Sequence, residues 1–205
     1  MIITELSLGI VIFALSASIT PGPNNIMIMA SGLNFGIRRS IPHALGIAIG
    51  FPIMLLALGS GLGTIFDRYP LFHEIIKVSG LLYLVYLAGR IAKAAPIEHT
   101  ETSTKPLSFF QAALFQWVNP KAWVMGTGAI SSFTVSNQSM FDQVAFIALT
   151  FLVAAAISVS LWLVVGHQLK LWLKNNRYQR WFNFTMAGLL IMSILPVISS
   201  MLIGL

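Results

Sequence analysis

Charged positions cut this chain into long apolar stretches with the length of membrane-crossing helices. Residues 6–37, 40–66, 143–169 and 181–205 contain no Asp, Glu, Lys or Arg, and a helix needs only about 20 mostly apolar residues to cross a bilayer. Residues 106–141 are neutral apart from Lys121. Residues 75–91 form the shortest candidate, with Lys77 and Arg90 placed to reach the two interfaces along their aliphatic stems. The pattern predicts six spans, near 6–33, 41–65, 72–92, 107–131, 143–167 and 181–203. Strands of a β-barrel would instead show segments of about ten residues with alternating polarity. Ala154-Ala155-Ala156-Ile157 and Leu81-Leu82-Tyr83-Leu84-Val85 do not alternate. The expected fold is an all-α membrane protein, one transmembrane domain over residues 1–205.

Composition points the same way. Of the 205 residues 57% are hydrophobic and 9% charged, against roughly a quarter charged in soluble domains; mean hydropathy is +0.84. A soluble globule and a disordered chain are both excluded, the latter because disorder needs few apolar residues and many charges. With no cysteine there is no disulfide framework, thiolate metal site or thiol nucleophile, and neither a metal nor a cofactor is expected. The net charge of +6 comes from small basic clusters between the apolar stretches, a topology signal rather than a nucleic-acid surface. The first stretch reads as a retained span, because Glu5 stands where a cleaved signal would be basic. Arg38 and Arg39 follow span one; Arg90, Lys93 and Lys105 lie between spans three and four; Lys170, Lys174, Arg177 and Arg180 lie between spans five and six. The other face holds only Arg68 and Lys77. The positive-inside rule makes the basic face cytoplasmic and puts both termini outside.

Three spans, a polar linker at residues 94–105 and three further spans suggest two halves, about 1–93 and 106–205. An odd span count inverts the second half relative to the first. In that architecture transporters bind substrate near the midplane, between discontinuous helices. Helix breakers fall in the first span of each half: Pro21, Gly22, Pro23, Asn24 and Asn25 in span one, and Trp117, Asn119, Pro120 and Lys121 in span four. Pro120 lies 97 residues after Pro23, an offset that carries span two onto span five but fits span three to span six poorly.

Pro-Gly-Pro removes two backbone donors and inserts the most flexible residue, so a regular helix through residues 21–23 is not expected. Freed carbonyls must be satisfied by protein or by water in a cavity. Asn24 or Asn25 is expected to cap the helix that restarts there, whose N–H groups favour an anion such as a carboxylate; the bland alternative is a packing kink. Lys121 is the one fixed charge well inside a span. Unless it snorkels to an interface, it wants an anionic partner, and no acidic residue at that depth supplies one.

Other candidates are weaker. His43 could relay protons or simply sit at the interface, and the same holds for His167 without a stated role. Trp117 and Trp123 flank the second break and could stack on a ligand or pack. Gly46-x-x-x-Gly50 and Gly59-x-x-x-Gly63 permit close helix approach. The motifs of zinc proteases, α/β-hydrolases and P-loop proteins are absent; an intramembrane hydrolase built on Ser18 and His43 is the weak enzymatic alternative, and no enzyme is expected.

Pro21-Gly22-Pro23-Asn24 in a six-span chain of this length, with Gly36-Ile37-Arg38-Arg39 and Asn119-Pro120-Lys121-Ala122-Trp123, resembles the LysE/RhtB family of amino-acid exporters over the whole chain. The resemblance implies efflux of amino acids or derivatives across the inner membrane by proton-driven secondary transport, with the Pro-Gly-Pro-Asn and Asn-Pro-Lys segments lining the path. A cationic substrate would favour an intramembrane carboxylate, which this chain lacks, so the substrate is expected to be neutral or acylated, of the cysteine/O-acetylserine type or the homoserine, threonine or leucine type. A channel and a lipid-processing membrane enzyme are the competing classes. The expected partners are an amino acid and the lipid bilayer, not nucleic acid; a homo-oligomer is compatible with this reading.

Overall fold

The computed structural model describes residues 2–62, 68–94, 105–135, 138–173 and 175–203. All regular structure among them is helical. The helices are α1 (Ile2–Ile19), α2 (Pro23–Phe35), α3 (Ile37–Ala57, extended by a π-helical turn, Leu58–Leu62) and α4 (Pro70–Ala92). They continue with α5 (Phe109–Phe115, extended by a 3-10 turn, Gln116–Val118), α6 (Pro120–Phe133), α7 (Met140–Trp172) and α8 (Asn176–Ile203).

Four segments are long and apolar enough to cross a membrane: Ile37–Gly61, Glu74–Ala92, Met140–Lys170 and Asn176–Ser199. The apolar segments Leu8–Ile19 and Phe109–Val118 are shorter. With 13 residues, α2 rises about 20 Å at 1.5 Å per residue, too little for a hydrocarbon layer of about 30 Å. The interruptions expected around residues 21–23 and 119–120 are thus present as helix ends.

The basic residues sit differently from expectation. Arg38 and Arg39, expected in a loop, occupy the first turn of α3, and Arg177 and Arg180 occupy the start of α8 rather than preceding it. The first displacement has a single cause. Gly36, at φ 77° and ψ 174°, turns the chain between α2 and α3 in one residue, and its N–H still reaches the Gly32 carbonyl at 3.0 Å. Only glycine takes that conformation without strain. The polar linker falls largely on residues 95–104, outside the described residues, as do Gly63 and Lys174.

Of the 13 residues of α2, 11 are buried, including three of its four polar residues, Asn25, Ser31 and Asn34. It is walled by α3, α7 and α8, with a lighter contact to α4. Approach this close requires small residues. A Cβ on Gly166 would run into the Met29 backbone, and one on Gly32 into the Leu163 backbone, so α2 and α7 touch main chain to main chain. Gly46 and Gly50 do the same for α3 against Phe109 and Ala113 of α5, the close contact expected from their spacing. A second apolar cluster joins α1, α3, α6 and α7, where Phe151 meets Phe51 edge-on at 5.1 Å between ring centroids. Leu82, Leu149, Val153, Leu161 and Leu195 lie exposed on the outside of the bundle, as a lipid-facing surface requires.

Replacing Gly166 by Val should lower the melting temperature of the detergent-solubilised protein by the equivalent of about 1–3 kcal/mol, the usual cost of overpacking. Gly188→Ala, where a new Cβ meets nothing within 4 Å, should leave it within about 0.5 kcal/mol; thermal unfolding followed by tryptophan fluorescence compares the two.

Candidate functional site

The first break leaves the last carbonyls of α1 without a continuing helix, and side chains from three other helices take them. Asn25 Nδ2 donates to the Ser18 carbonyl at 2.7 Å and to that of Thr20 at 3.0 Å. Ser158 Oγ, from α7, donates to the Ser18 carbonyl at 2.7 Å, and Trp162 Nε1 to that of Ile19 at 3.1 Å. Lys121 Nζ, from α6, donates to the Thr20 carbonyl at 2.6 Å. Gly22 is extended, and a Cβ there would collide with the Lys121 side chain; glycine is what lets the ammonium lie across the break. Pro23 follows at the first position of α2, where its missing N–H costs nothing.

The expected capping role of Asn24 or Asn25 is not what these residues do. No side chain caps α2, whose preceding residue is Gly22. Asn25 instead reaches backward to the C-terminus of α1, and Asn24 reaches across to the other break. There Asn24 Nδ2 donates to Gln116 Oε1 at 2.8 Å, and Gln116 Nε2 returns a bond to Asn24 Oδ1 at 3.2 Å. Two amides can pair in this reciprocal way because each carries a donor and an acceptor.

The second break is built from its own residues. Pro120 cannot donate to the preceding turn, and Asn119 is extended. The Asn119 side chain accepts from the Lys121 N–H at 3.2 Å and so starts α6. Trp123 Nε1 takes the freed Trp117 carbonyl at 2.8 Å. The two tryptophan side chains pack against the second apolar cluster.

Between the two breaks lies a partly open cavity of about 430 Å³, its mouth included. Of the ten residues expected at a substrate site, Gly22, Asn24, Asn25, Asn119 and Lys121 line it. Pro21, Pro23, Trp117, Pro120 and Trp123 do not; they shape the interruptions. Ser18, Gln116 and Ser158 add polar groups, Ile47, Phe51, Met125 and Val159 an apolar wall, and among the described residues no acidic one lines it. Ser18 and Gln116 carry a faint sequence signal, as polar residues within four positions of a break. Ser158 carries none: Ser160, two residues on in the same helix, is exposed. His43 is not part of this cavity. It is buried one helix turn away, with Nδ1 2.9 Å from Ser31 Oγ. His167 is half-buried near the end of α7. Among the described residues no group of three or more His, Asp or Glu side chains could hold a metal.

Residues 15–195 match the family described as LysE type translocator. Among curated proteins, the cysteine/O-acetylserine efflux protein of Klebsiella pneumoniae is 31% identical over 182 residues, covering 87% of this chain and 90% of that protein. The protein of the same name from Escherichia coli strain K12 is 29% identical over 179 residues, with the same coverage. No solved structure matches the chain. A family match over nearly the full length, on a bundle of apolar helices with two meeting interruptions, makes this chain a multi-pass membrane protein that belongs to the LysE type translocator family.

Proposed function

We propose that this protein exports a neutral amino acid or an acylated derivative from the cytoplasm across the inner membrane, in exchange for protons. The cysteine/O-acetylserine type is favoured by the names of the relatives, and the homoserine, threonine or leucine type is the nearest alternative. The observation that carries the reading is Lys121. Its ammonium lines the cavity at the meeting of the two breaks, with no carboxylate among the other lining residues. An ammonium beside the N-terminal ends of α2 and α6 favours a carboxylate, and the surrounding amides and hydroxyls suit a small polar zwitterion. Absence of an acidic group disfavours a cationic substrate.

In this reading each short helix pair, α1 with α2 and α5 with α6, makes one crossing, giving six in two inverted halves with both termini outside. Contacts between α3 and α7 and between α4 and α8, the pairs such a repeat would relate, support it. The Lys121 bond to the Thr20 carbonyl is the substrate-free state. An arriving carboxylate competes for the ammonium and takes one of the two donors from the Thr20 carbonyl, which links binding to movement of the break. Asn24 and Gln116 tie the two halves together across the cavity and loosen when the halves rock. His43 is the candidate proton carrier.

Replacing Lys121 by Met should reduce export of preloaded labelled amino acid to the level of cells without the protein, while membrane insertion and the detergent melting transition persist. Normal export by this variant would remove Lys121 from the site. In proteoliposomes, an imposed pH gradient should drive uphill efflux by the unaltered protein, whereas His43→Asn should carry substrate only down its own gradient. Asn24→Ala and Gln116→Ala should each destabilise the protein by about 1–3 kcal/mol, because each strands a largely buried amide. The double variant should cost less than the sum, with a coupling of about 0.5–3 kcal/mol in a double-mutant cycle read from melting transitions.

A further inference from the structure

A second cavity, of about 470 Å³, lies along the same pair of helices. The central cavity is lined by Asn24 and Asn25 of α2 with Ile47 and Phe51 of α3; the second is lined by Ser31 and Asn34 of α2 with His43 of α3. It therefore sits nearer the Gly36 corner, the end of the hairpin that carries Arg38 and Arg39. On α3 one helix turn separates His43 from Ile47, and on α2 Asn25 and Met27 are two residues apart. Met27, which lines the second, and Ile47, which lines the central one, are 4% and 3% exposed and belong to the same apolar cluster.

The lining of the second cavity includes two cations, Arg90 and Lys105, and the buried ring of His43. Arg90 and Lys105 line it beside residues 105–107 of the linker's far end, and an Arg90 guanidinium N–H donates to the Lys105 carbonyl at 2.9 Å. Among the described residues no acidic one lines it. His43 is 1% exposed, and its Nε2 has no hydrogen-bond partner among the described residues. A buried polar atom without a partner costs about 1–3 kcal/mol, and His43 is among the residues that line the cavity. Taking the Ser31 hydroxyl as the donor to Nδ1, the neutral ring carries its proton on Nε2 and is a donor there. The remaining wall, including Leu87 and Ile91, is apolar.

We infer that this cavity is an entrance site, where an amino acid coming from the cytoplasm is held before it reaches the central cavity. The inference rests on the export reading given above. The Arg90 and Lys105 cations take the carboxylate, and His43 Nε2–H bonds a polar atom of the substrate's side chain. Met27 and Ile47 form the closed apolar door between the two sites. Such an arrangement selects at the entrance for small amino acids with a hydrogen-bond acceptor in the side chain, ahead of any selection at Lys121.

The chain contains no cysteine, so single introduced cysteines report on each cavity separately. Ile91→Cys reports on the entrance site, with Ala30→Cys as a second position, and Met125→Cys reports on the central cavity. Each variant is reconstituted in phosphatidylcholine vesicles and labelled with a small neutral thiol reagent, with and without O-acetylserine. O-acetylserine should slow labelling at Ile91→Cys several-fold, and leucine or the amino alcohol lacking the carboxylate should not. Adding Arg90→Gln and Lys105→Gln together should abolish the protection, and adding Lys121→Met should leave it. The entrance site is overturned if neither Ile91→Cys nor Ala30→Cys reacts, if O-acetylserine gives no protection there, or if protection survives loss of both cations. It is also overturned if phosphatidylglycerol in the vesicles abolishes the protection, which would assign the cations to a lipid headgroup. Protection at Met125→Cys alone would reject the entrance site and keep the central one; protection at Ile91→Cys alone would do the reverse.

Discussion

A helix that stops inside a bilayer leaves carbonyls that hydrocarbon cannot hydrate, each costing several kcal/mol if nothing else bonds to it. Ser18, Ile19 and Thr20 are that end in α1, and their three carbonyls accept from Asn25, Ser158, Trp162 and Lys121. The donors come from α2, α7 and α6, so satisfying one interrupted helix fixes the relative positions of three others. Lys121 stands in the first turn of α6, and holding an ammonium away from water is costly. Its short bond to a carbonyl that also needs a donor offsets part of that. A carbonyl is nevertheless a weaker partner for an ammonium than a carboxylate is. The same contact that stabilises the substrate-free protein is therefore one that a small acid can displace.

Holding such a polar centre inside an apolar bundle needs close backbone contact around it. Gly32 and Gly166 bring α2 against α7, and Gly46 and Gly50 bring α5 against α3. Lipid is as apolar as leucine, so no hydrophobic gain drives these helices together. Dispersion between closely packed backbones does. Because α2 is covered on nearly every side, its polar residues bond polar groups of the elements packed against it. Asn34, for example, exchanges two hydrogen bonds with Asn183 of α8 at 2.9 and 3.1 Å. The two cavities are the other outlets, one at each end of the α2–α3 pair.

Much of this was legible in the residues. Proline chemistry announced both interruptions, the charge-free stretches announced the helices, and the rarity of an intramembrane charge singled out Lys121. What escaped were facts about which element faces which. Asn25 looked like a cap for the helix it begins, yet it serves the helix that ends before it, because its side-chain amide lies within reach of the Ser18 and Thr20 carbonyls. Gln116 and Ser158 are ordinary polar residues in apolar runs until the bundle brings them to Asn24 and Ser18. The Arg38–Arg39 pair looked like a loop, and a single positive-φ glycine made that loop unnecessary.

The central claim is that a substrate carboxylate replaces the Thr20 carbonyl at Lys121. The most direct test is a cryo-electron microscopy structure of the full-length protein in lipid nanodiscs with saturating O-acetylserine or cysteine. The account predicts density for the amino acid between the two breaks, with a carboxylate oxygen within hydrogen-bonding distance of Lys121 Nζ and the Thr20 carbonyl released. An amino acid bound elsewhere, with the Lys121–Thr20 bond intact at full occupancy of substrate, would contradict it.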